Sequence, residues 1–223
     1  MEVLQEARSV ELRFVGLGAA CQTAYQIRRH TANDRALFFD WLVSMDLTSI
    51  DLILNHFDEA AFLTGDCTIV DKGLRVFDPW SRLKFQHDFP SHGALIDDDF
   101  KSALPVVKEK YLFLRDRTLN ALAKDRSVFI RFSFASTVDE AFSECSCLRK
   151  VIPNISGNDC LFVLGNENVP ETIVRDDLMV FKLDSYQGDE RFRWCGNDAS
   201  WDKLFSATSA VLLDRIRGGA SIA

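Results

Sequence analysis

The stretch Phe14-Val15-Gly16-Leu17-Gly18-Ala19-Ala20-Cys21 constrains this chain more than any other. Val10, Leu12, Phe14 and Val15 form an apolar run that reads as a buried strand, and Gly16 and Gly18 allow a tight turn. A helix then starts at Cys21 and closes at Arg28-Arg29-His30-Thr31, whose positive charge complements the carbonyl end of the helix dipole. A cysteine placed there meets backbone N–H groups that lack an intrahelical acceptor, together with partial positive charge. Both favour thiolate over thiol, and the same N–H groups can hold the oxyanion of an acyl-transfer reaction. Cysteine is equally at home as a small buried hydrophobe, so position alone leaves a packing role open.

Asn33-Asp34 reads as a turn. In Phe38-Phe39-Asp40-Trp41-Leu42-Val43 a single carboxylate stands inside an apolar run, which is costly unless it is paired or hydrogen-bonded. Asp40 therefore either caps the next turn or stands in a cleft, where it orients an imidazole or fixes the loop that carries the thiol. Ile50, Ile53, Leu54, Phe57, Ala60 and Ala61 recur at helical spacing between Ser49 and Phe62. Cys67 to Asp71 and Gly73 to Phe77 read as short strands, with a turn at Asp78-Pro79-Trp80-Ser81. Alternation across Arg82 to Phe89 puts Leu83, Phe85, His87 and Phe89 on one strand face and Lys84, Gln86 and Asp88 on the other. His87 is then either a core residue or a base. Adjacent strand residues diverge, so Asp88 can orient the His87 ring only if the strand bulges or ends before Pro90. Asp40 is the first candidate for that partner and Asp88 the second.

Ser91 to Asp99 reads as an acidic loop, solvated rather than metal-binding. A helix follows from Ser102 to Lys124, with Val106, Tyr111, Leu112, Leu114, Leu119 and Leu122 toward the core and Pro105 in its first turn. Strands at Ser127 to Phe132, Cys160 to Leu164 and Leu178 to Leu183, with a helix at Val138 to Val151, have the rhythm of parallel pairing through crossover helices. Arg131 falls near a sheet end, as a structural ion pair or a substrate contact. Trp194 to Trp201 reads as a packed turn into a last helix from Trp201 to Arg215. The fold class expected is α/β, one domain over residues 1–223, with a mixed, partly parallel sheet flanked by helices and frayed tails at 1–8 and 217–223.

Composition narrows the function. The formal charge of −7 argues against a nucleic-acid surface, which would need a clustered basic footprint. Eighteen phenylalanines among 223 residues call for a bulky aromatic core. Met1 to Glu11 lacks the apolar segment of an export signal, and no run approaches the roughly 18 apolar residues of a membrane span. A cytoplasmic protein with reduced cysteines and no membrane contact is the expectation. Cys145-Ser146-Cys147 has no second pair or nearby histidine, so neither a metal site nor a cofactor is expected.

Gly16 to Cys21, then Arg28-Arg29-His30, Phe38-Phe39-Asp40-Trp41-Leu42, Phe85-Gln86-His87-Asp88-Phe89 and Trp194-Cys195-Gly196-Asn197-Asp198-Ala199-Ser200-Trp201 together resemble the DUF1796 family, a group described as papain-like cysteine peptidases. The resemblance runs from about Phe14 to about Leu204; Phe38 stands where the family usually has proline, and Ala20 precedes the cysteine. It implies Cys21 as nucleophile, His87 as base and Asp40 or Asp88 as the acid that orients it. It also implies a papain-like arrangement, the cysteine helix packed against a sheet that bears the histidine. Gly18, Gln22, Trp41 and Arg131 are the positions expected to meet a peptide, ester or other acyl substrate. The other reading takes Gly16-x-Gly18 as a ligand loop. It supplies the first two glycines of a dinucleotide fingerprint without the third, with Asp40 about 20 residues on. A nucleotide- or carbohydrate-binding protein without thiol catalysis would use it. The oligomeric state is left open.

Overall fold

The computed structural model describes residues 12–32, 35–123, 127–152 and 160–219. Val10, the turn at Asn33-Asp34 and the tails at 1–8 and 220–223 lie outside them. The chain begins with β1 (Arg13–Gly16) and α1 (Cys21–Thr31), then turns into the two-residue β2 (Leu42–Val43) and α2 (Leu47–Asn55). Short strands β3 (Thr68–Val70), β4 (Arg75–Asp78) and β5 (Leu83–Phe85), and a small hairpin of β6 (Ser91–His92) and β7 (Leu95–Ile96), precede the long α3 (Leu104–Leu122). The second half runs β8 (Ser127–Ser133), α4 (Val138–Val151), β9 (Cys160–Asn166), β10 (Ile173–Arg175), β11 (Leu178–Lys182) and α5 (Asp198–Gly219).

Two sheets organise these elements. A five-stranded sheet has the order β1-β8-β9-β11-β10, parallel except for β10, which pairs antiparallel with β11. An antiparallel sheet has the order β2-β5-β4-β3. The fold is α/β with a mixed sheet, as the strand and helix rhythm implied. β8 is buried along its whole length, as a strand covered on both faces must be. Val128, Ile130 and Phe132 pack with Trp201, Phe205 and Leu212 of α5. Phe129 turns the other way, into a core shared with Phe142, Cys145 and Leu148 of α4. Thr137 and Glu140 form a reciprocal capping box that starts α4 at the residue expected.

Arg131 shares the α4 side of β8, and its side chain is 1% exposed. A buried guanidinium is tolerable only when its donors are met. Here Nε donates to Glu144 Oε1 at 2.9 Å, Nη1 to Leu17 O at 2.9 Å and Ser44 Oγ at 3.1 Å, and Nη2 to Ser44 O. Leu17 follows β1 of the parallel sheet and Ser44 follows β2 of the antiparallel one. One side chain thus ties the two sheets together at that point. The substrate contact expected of Arg131 is not available; its structural role occupies the fork.

Other elements depart from expectation for local reasons. α2 stops at Asn55 instead of reaching Phe62, because Asp58 Oδ1 accepts from Ala60 N and Ala61 N and so favours a turn over helix. A 3-10 turn at Phe100–Ala103 precedes α3, and its register buries Val107 while Val106 is 71% exposed. Ser91 to Asp99, read as an open loop, contains the β6–β7 hairpin, with Gly93 at φ +63° in its turn. β10 was not foreseen; it turns into β11 through Asp176 at φ +51°. α5 starts at Asp198, three residues before Trp201, and extends beyond Arg215 through Gly218 to Gly219, where a tail was expected.

Replacing Arg131 by methionine should lower unfolding free energy by about 3–5 kcal/mol, because it strands a carboxylate and two buried carbonyls. Urea denaturation measures this. Adding Glu144→Leu should restore part of the loss, because the isolated charge is then removed.

Candidate active site

The turn before Cys21 is held in a strained form. Gly18 and Ala19 both have positive φ, +74° and +73°, and only the first is a residue that adopts it without steric cost. Ala19 is kept there by its N–H, which donates to Ser44 Oγ at 2.9 Å, and by the Arg131 bond to Leu17 O. A Cβ on Gly18 would overlap Ser44 Oγ and press on Phe39. Gly18 is therefore required by inward packing against Ser44 and Phe39. Cys21 follows as the first residue of α1, after an extended Ala20 that supplies no side-chain cap. Among the described residues, no other residue accepts the N–H of Cys21 or Gln22, whereas Thr23 N–H bonds Ala20 O. Two donors remain beside the sulfur.

His87 arrives from the other sheet. β5 ends at Phe85, because β2 offers only Leu42 and Val43 to pair with Phe85 and Lys84. The next residues bend away, and His87 is exposed instead of lying on a strand's apolar face. Its flanks are pinned: Phe85 and Phe89 are buried, and Asp88 binds Lys110 and accepts from Tyr111 Oη at 2.9 Å. His87 Nε2 lies 3.9 Å from Cys21 Sγ, across 66 residues of sequence. Among the described residues, no carboxylate reaches either ring nitrogen. The strand end that would have freed Asp88 to turn toward His87 does occur, yet its carboxylate is committed to α3.

Asp40 is also committed elsewhere. Its Oδ2 accepts from Leu37 N at 3.0 Å and faces Arg28 Nη2 at 3.6 Å, with the side chain 9% exposed. It fixes the turn that delivers Trp41, which holds a positive φ of +65°. Burial pushes the Asp40 carboxyl up to about 6, against the opposing pull of the Leu37 N–H and Arg28. Trp41 itself is at the site. Its ring stands perpendicular to His87 at 6.2 Å and meets Trp194 at 6.2 Å, and Arg28 lies over it at 5.1 Å. Trp194 packs edge-on against Tyr25 at 5.3 Å and is 48% exposed. Tyr25 and Trp194 were not among the expected site residues; the late tryptophan-cysteine motif was the signal that pointed to them. Gln22 is buried, its Oε1 accepting from Trp201 Nε1 and Gly196 N at 3.3 Å, so its amide serves packing instead of substrate.

Burial raises the Cys21 thiol above its ordinary value, and Asp88 adds to that direction; its own N–H and Arg75 pull the other way without reversing it. The direction is the opposite of the one expected from position at a helix N-terminus. Cys67 and Cys145 are pushed up to about 12 by burial and are poor nucleophiles. Among the described residues, no group of three or more His, Cys, Asp or Glu side chains could hold a metal ion. No helix among them is long and apolar enough to cross a membrane.

Comparison with known proteins follows this geometry. The family described as "Putative papain-like cysteine peptidase (DUF1796)" matches residues 12–156, which include Cys21, Asp40, Trp41 and His87 but not Trp194. Over 98 residues the chain is 30% identical to "Uncharacterized protein R408" of Acanthamoeba polyphaga mimivirus, an alignment covering 44% of this chain and 37% of that protein. The match thus spans little more than a third of that relative's length. No solved structure matches the chain.

Asp40 yields a pH prediction. Its folded pKa of about 6 exceeds the ordinary 3.8, so the folded state holds the proton more tightly and its contribution to stability falls as pH rises between those values. The loss is on the order of 2–3 kcal/mol. Asp40→Asn should flatten that segment of the stability-pH curve, measured by urea unfolding from pH 4 to pH 7. An unchanged slope would show the carboxyl to be ordinary.

Proposed function

This chain belongs to the DUF1796 family, and from that premise we propose that it is a papain-like thiol hydrolase or acyltransferase acting on an amide, ester or thioester. The observation that carries the reading is the approach of Cys21 Sγ to His87 Nε2, 3.9 Å, on two independently anchored segments. Because burial holds Cys21 as a thiol, His87 acts as a general base at the moment of attack. Its Nε2 takes the thiol proton as sulfur bonds to the carbonyl carbon. The negative charge on the carbonyl oxygen falls to the N–H groups of Cys21 and Gln22. When the tetrahedral centre collapses, the bond to the leaving group breaks and His87 returns the proton to it. Water, or another nucleophile, then attacks the acyl carbon while His87 takes its proton, the carbon-sulfur bond breaks, and the proton passes back to the Cys21 sulfur. Trp41, Trp194 and Tyr25 line one side of the approach, which suits a substrate with a flat or apolar flank.

The imidazole lacks a carboxylate partner among the described residues, so its orientation rests on the anchored flanks at Phe85, Asp88 and Phe89 and on the Trp41 ring. The positioning carboxylates of the reading are thus indirect: Asp88 sets the histidine segment and Asp40 sets the tryptophan turn.

Iodoacetamide labelling tests the pair. Cys147 is exposed and would react as well, so the experiment uses a Cys147→Ser background. Labelling at Cys21 should vanish in Cys21→Ala with an unchanged circular dichroism spectrum, and should slow at least about tenfold in His87→Ala, a loss of roughly 1.4 kcal/mol in the barrier. In the parent its rate should rise with pH later than that of glutathione, because the thiol sits above its ordinary value. Equal rates with and without His87 would overturn the coupled pair. Turnover of a panel of activated esters and coumarin-capped peptides should be lost in both variants.

A further inference from the structure

A cleft of about 510 Å³ opens between α1 and α3, along the β1 edge of the five-stranded sheet. β1 is its floor, and α1 and α3 are its walls. Arg13, Arg28, Arg35 and Arg117 line it, and Asp40 is the one carboxylate among the described lining residues. Four guanidinium groups around one opening are unexpected on a chain with a formal charge of −7. Arg13, Arg28 and Arg117 share that opening, and mutual repulsion of like charges favours a site that an anion completes.

The donors in the cleft are incompletely used. Arg28 Nε is buried with no hydrogen-bond partner among the described residues, and its one carboxylate neighbour stands off at 3.6 Å from Nη2. A buried donor left unmet is costly, so an acceptor that reaches it binds with that cost relieved. Arg117 donates Nη1 to Ala36 O at 3.1 Å, which engages one of the five donors a guanidinium carries. The backbone adds two more. In a parallel ladder the N–H and C=O of one residue point to the same neighbour. Leu17 N–H bonds Ile130 O, so Gly16 and Phe14, one and three residues before it, turn their N–H groups to the other edge of β1, which no strand among the described residues pairs.

We propose that this cleft binds a multiply charged anion of the organic-phosphate class, held by Arg13, Arg28 and Arg117 with help from the edge N–H groups. The guanidinium fork matches phosphate oxygens in pairs, and several forks suit several charges better than a single carboxylate would. The volume lies within the roughly 300–1,000 Å³ of small-molecule sites, large enough for a nucleotide and larger than a bare phosphate needs. This site does not depend on the thiol chemistry. Arg28 nonetheless touches both regions, because its guanidinium also lies over Trp41.

Isothermal titration of the full chain at pH 7 and low chloride tests it, with ADP, inorganic pyrophosphate and citrate as separate probes. The expected result is saturable one-site binding of pyrophosphate and of ADP, with ADP at least as tight, and weaker binding of citrate. Arg117→Gln and Arg13→Gln should each weaken pyrophosphate at least about tenfold, roughly 1.4 kcal/mol, while the melting temperature without ligand stays within a few degrees. Arg191→Gln, an exposed arginine outside the cleft, and Cys21→Ala should leave binding unchanged. Absence of saturable binding overturns the proposal, as does an equal loss in Arg191→Gln, which would mark non-specific attraction. Citrate binding tighter than both phosphates, or ADP binding without pyrophosphate, overturns the phosphate assignment.

Discussion

The guanidinium of Arg131 is the interaction on which the arrangement of the rest depends. Cys21 belongs to the parallel sheet through β1, and His87 belongs to the antiparallel sheet through β5. Hydrophobic packing can bring two sheets together, but it is non-directional and tolerates small slides. A sulfur and an imidazole must be set to within a fraction of an ångström. Arg131 supplies direction: it grips Leu17 O just ahead of the thiol turn and Ser44, just beyond β2, in one rigid fork. Ser44 Oγ then accepts from Ala19 N–H, so the strained turn is held by the same cluster. Glu144 neutralises the fork from α4, and Ser133 donates to the other carboxylate oxygen at 2.6 Å. A lysine could hold one of these acceptors, but not the three directions at once.

The thiol shows which of two opposed effects wins. A helix N-terminus stabilises a nearby negative charge by about 0.3–1 kcal/mol when exposed. Partial burial of the sulfur pushes the other way, and against the pull of its own N–H and Arg75 the net direction is upward. In the proposed reaction a thiolate would then form only in company with a proton acceptor, and the imidazole that approaches the sulfur comes from 66 positions away in the chain. The helix N-terminus would serve that reaction at another atom, through N–H groups aimed at the substrate oxygen, where charge develops, instead of at the resting sulfur.

Much of this was legible from local pattern. The strand, tight turn and helix around Cys21, the strand β8 and the helix α4 follow from apolar period and glycine placement, which act within a few residues. The β-texture of residues 67–85 was equally readable. What local pattern could not supply was decided by partners far off. Alternation from Arg82 to Phe89 is perfect on paper, yet pairing stops at Phe85 because β2 is two residues long and α3 captures Asp88. Arg131 looked like a residue near a sheet end, and only the return of Leu17 and Ser44 to its side of β8 shows it to be a clamp. The same holds for Gln22 and Gly18, whose polar and conformational character suggested exposure to substrate but is used inward. Tyr25 and Trp194 lie 169 positions apart, and their edge-on contact leaves no trace in sequence spacing.

The two acidic candidates resolve into a division of labour. A carboxylate bonded to the imidazole would raise its basicity and lock its tautomer, at the cost of a second charge near a thiolate that must form. Asp88 and Asp40 each stand one residue away from a side chain of the site, His87 and Trp41, and each is held by a cation and a neutral donor. They act through backbone placement. That arrangement keeps the histidine segment and the tryptophan turn rigid while adding little negative potential at the sulfur beyond the small upward push of Asp88. It also explains why the carboxylates survive burial: both are 9% or less exposed, and an unpaired charge so placed would be far more costly than a surface one. The scaffold thus fixes the imidazole by steric and aromatic contact on one side and by anchored neighbours on the other, leaving its second ring nitrogen clear of any carboxylate among the described residues.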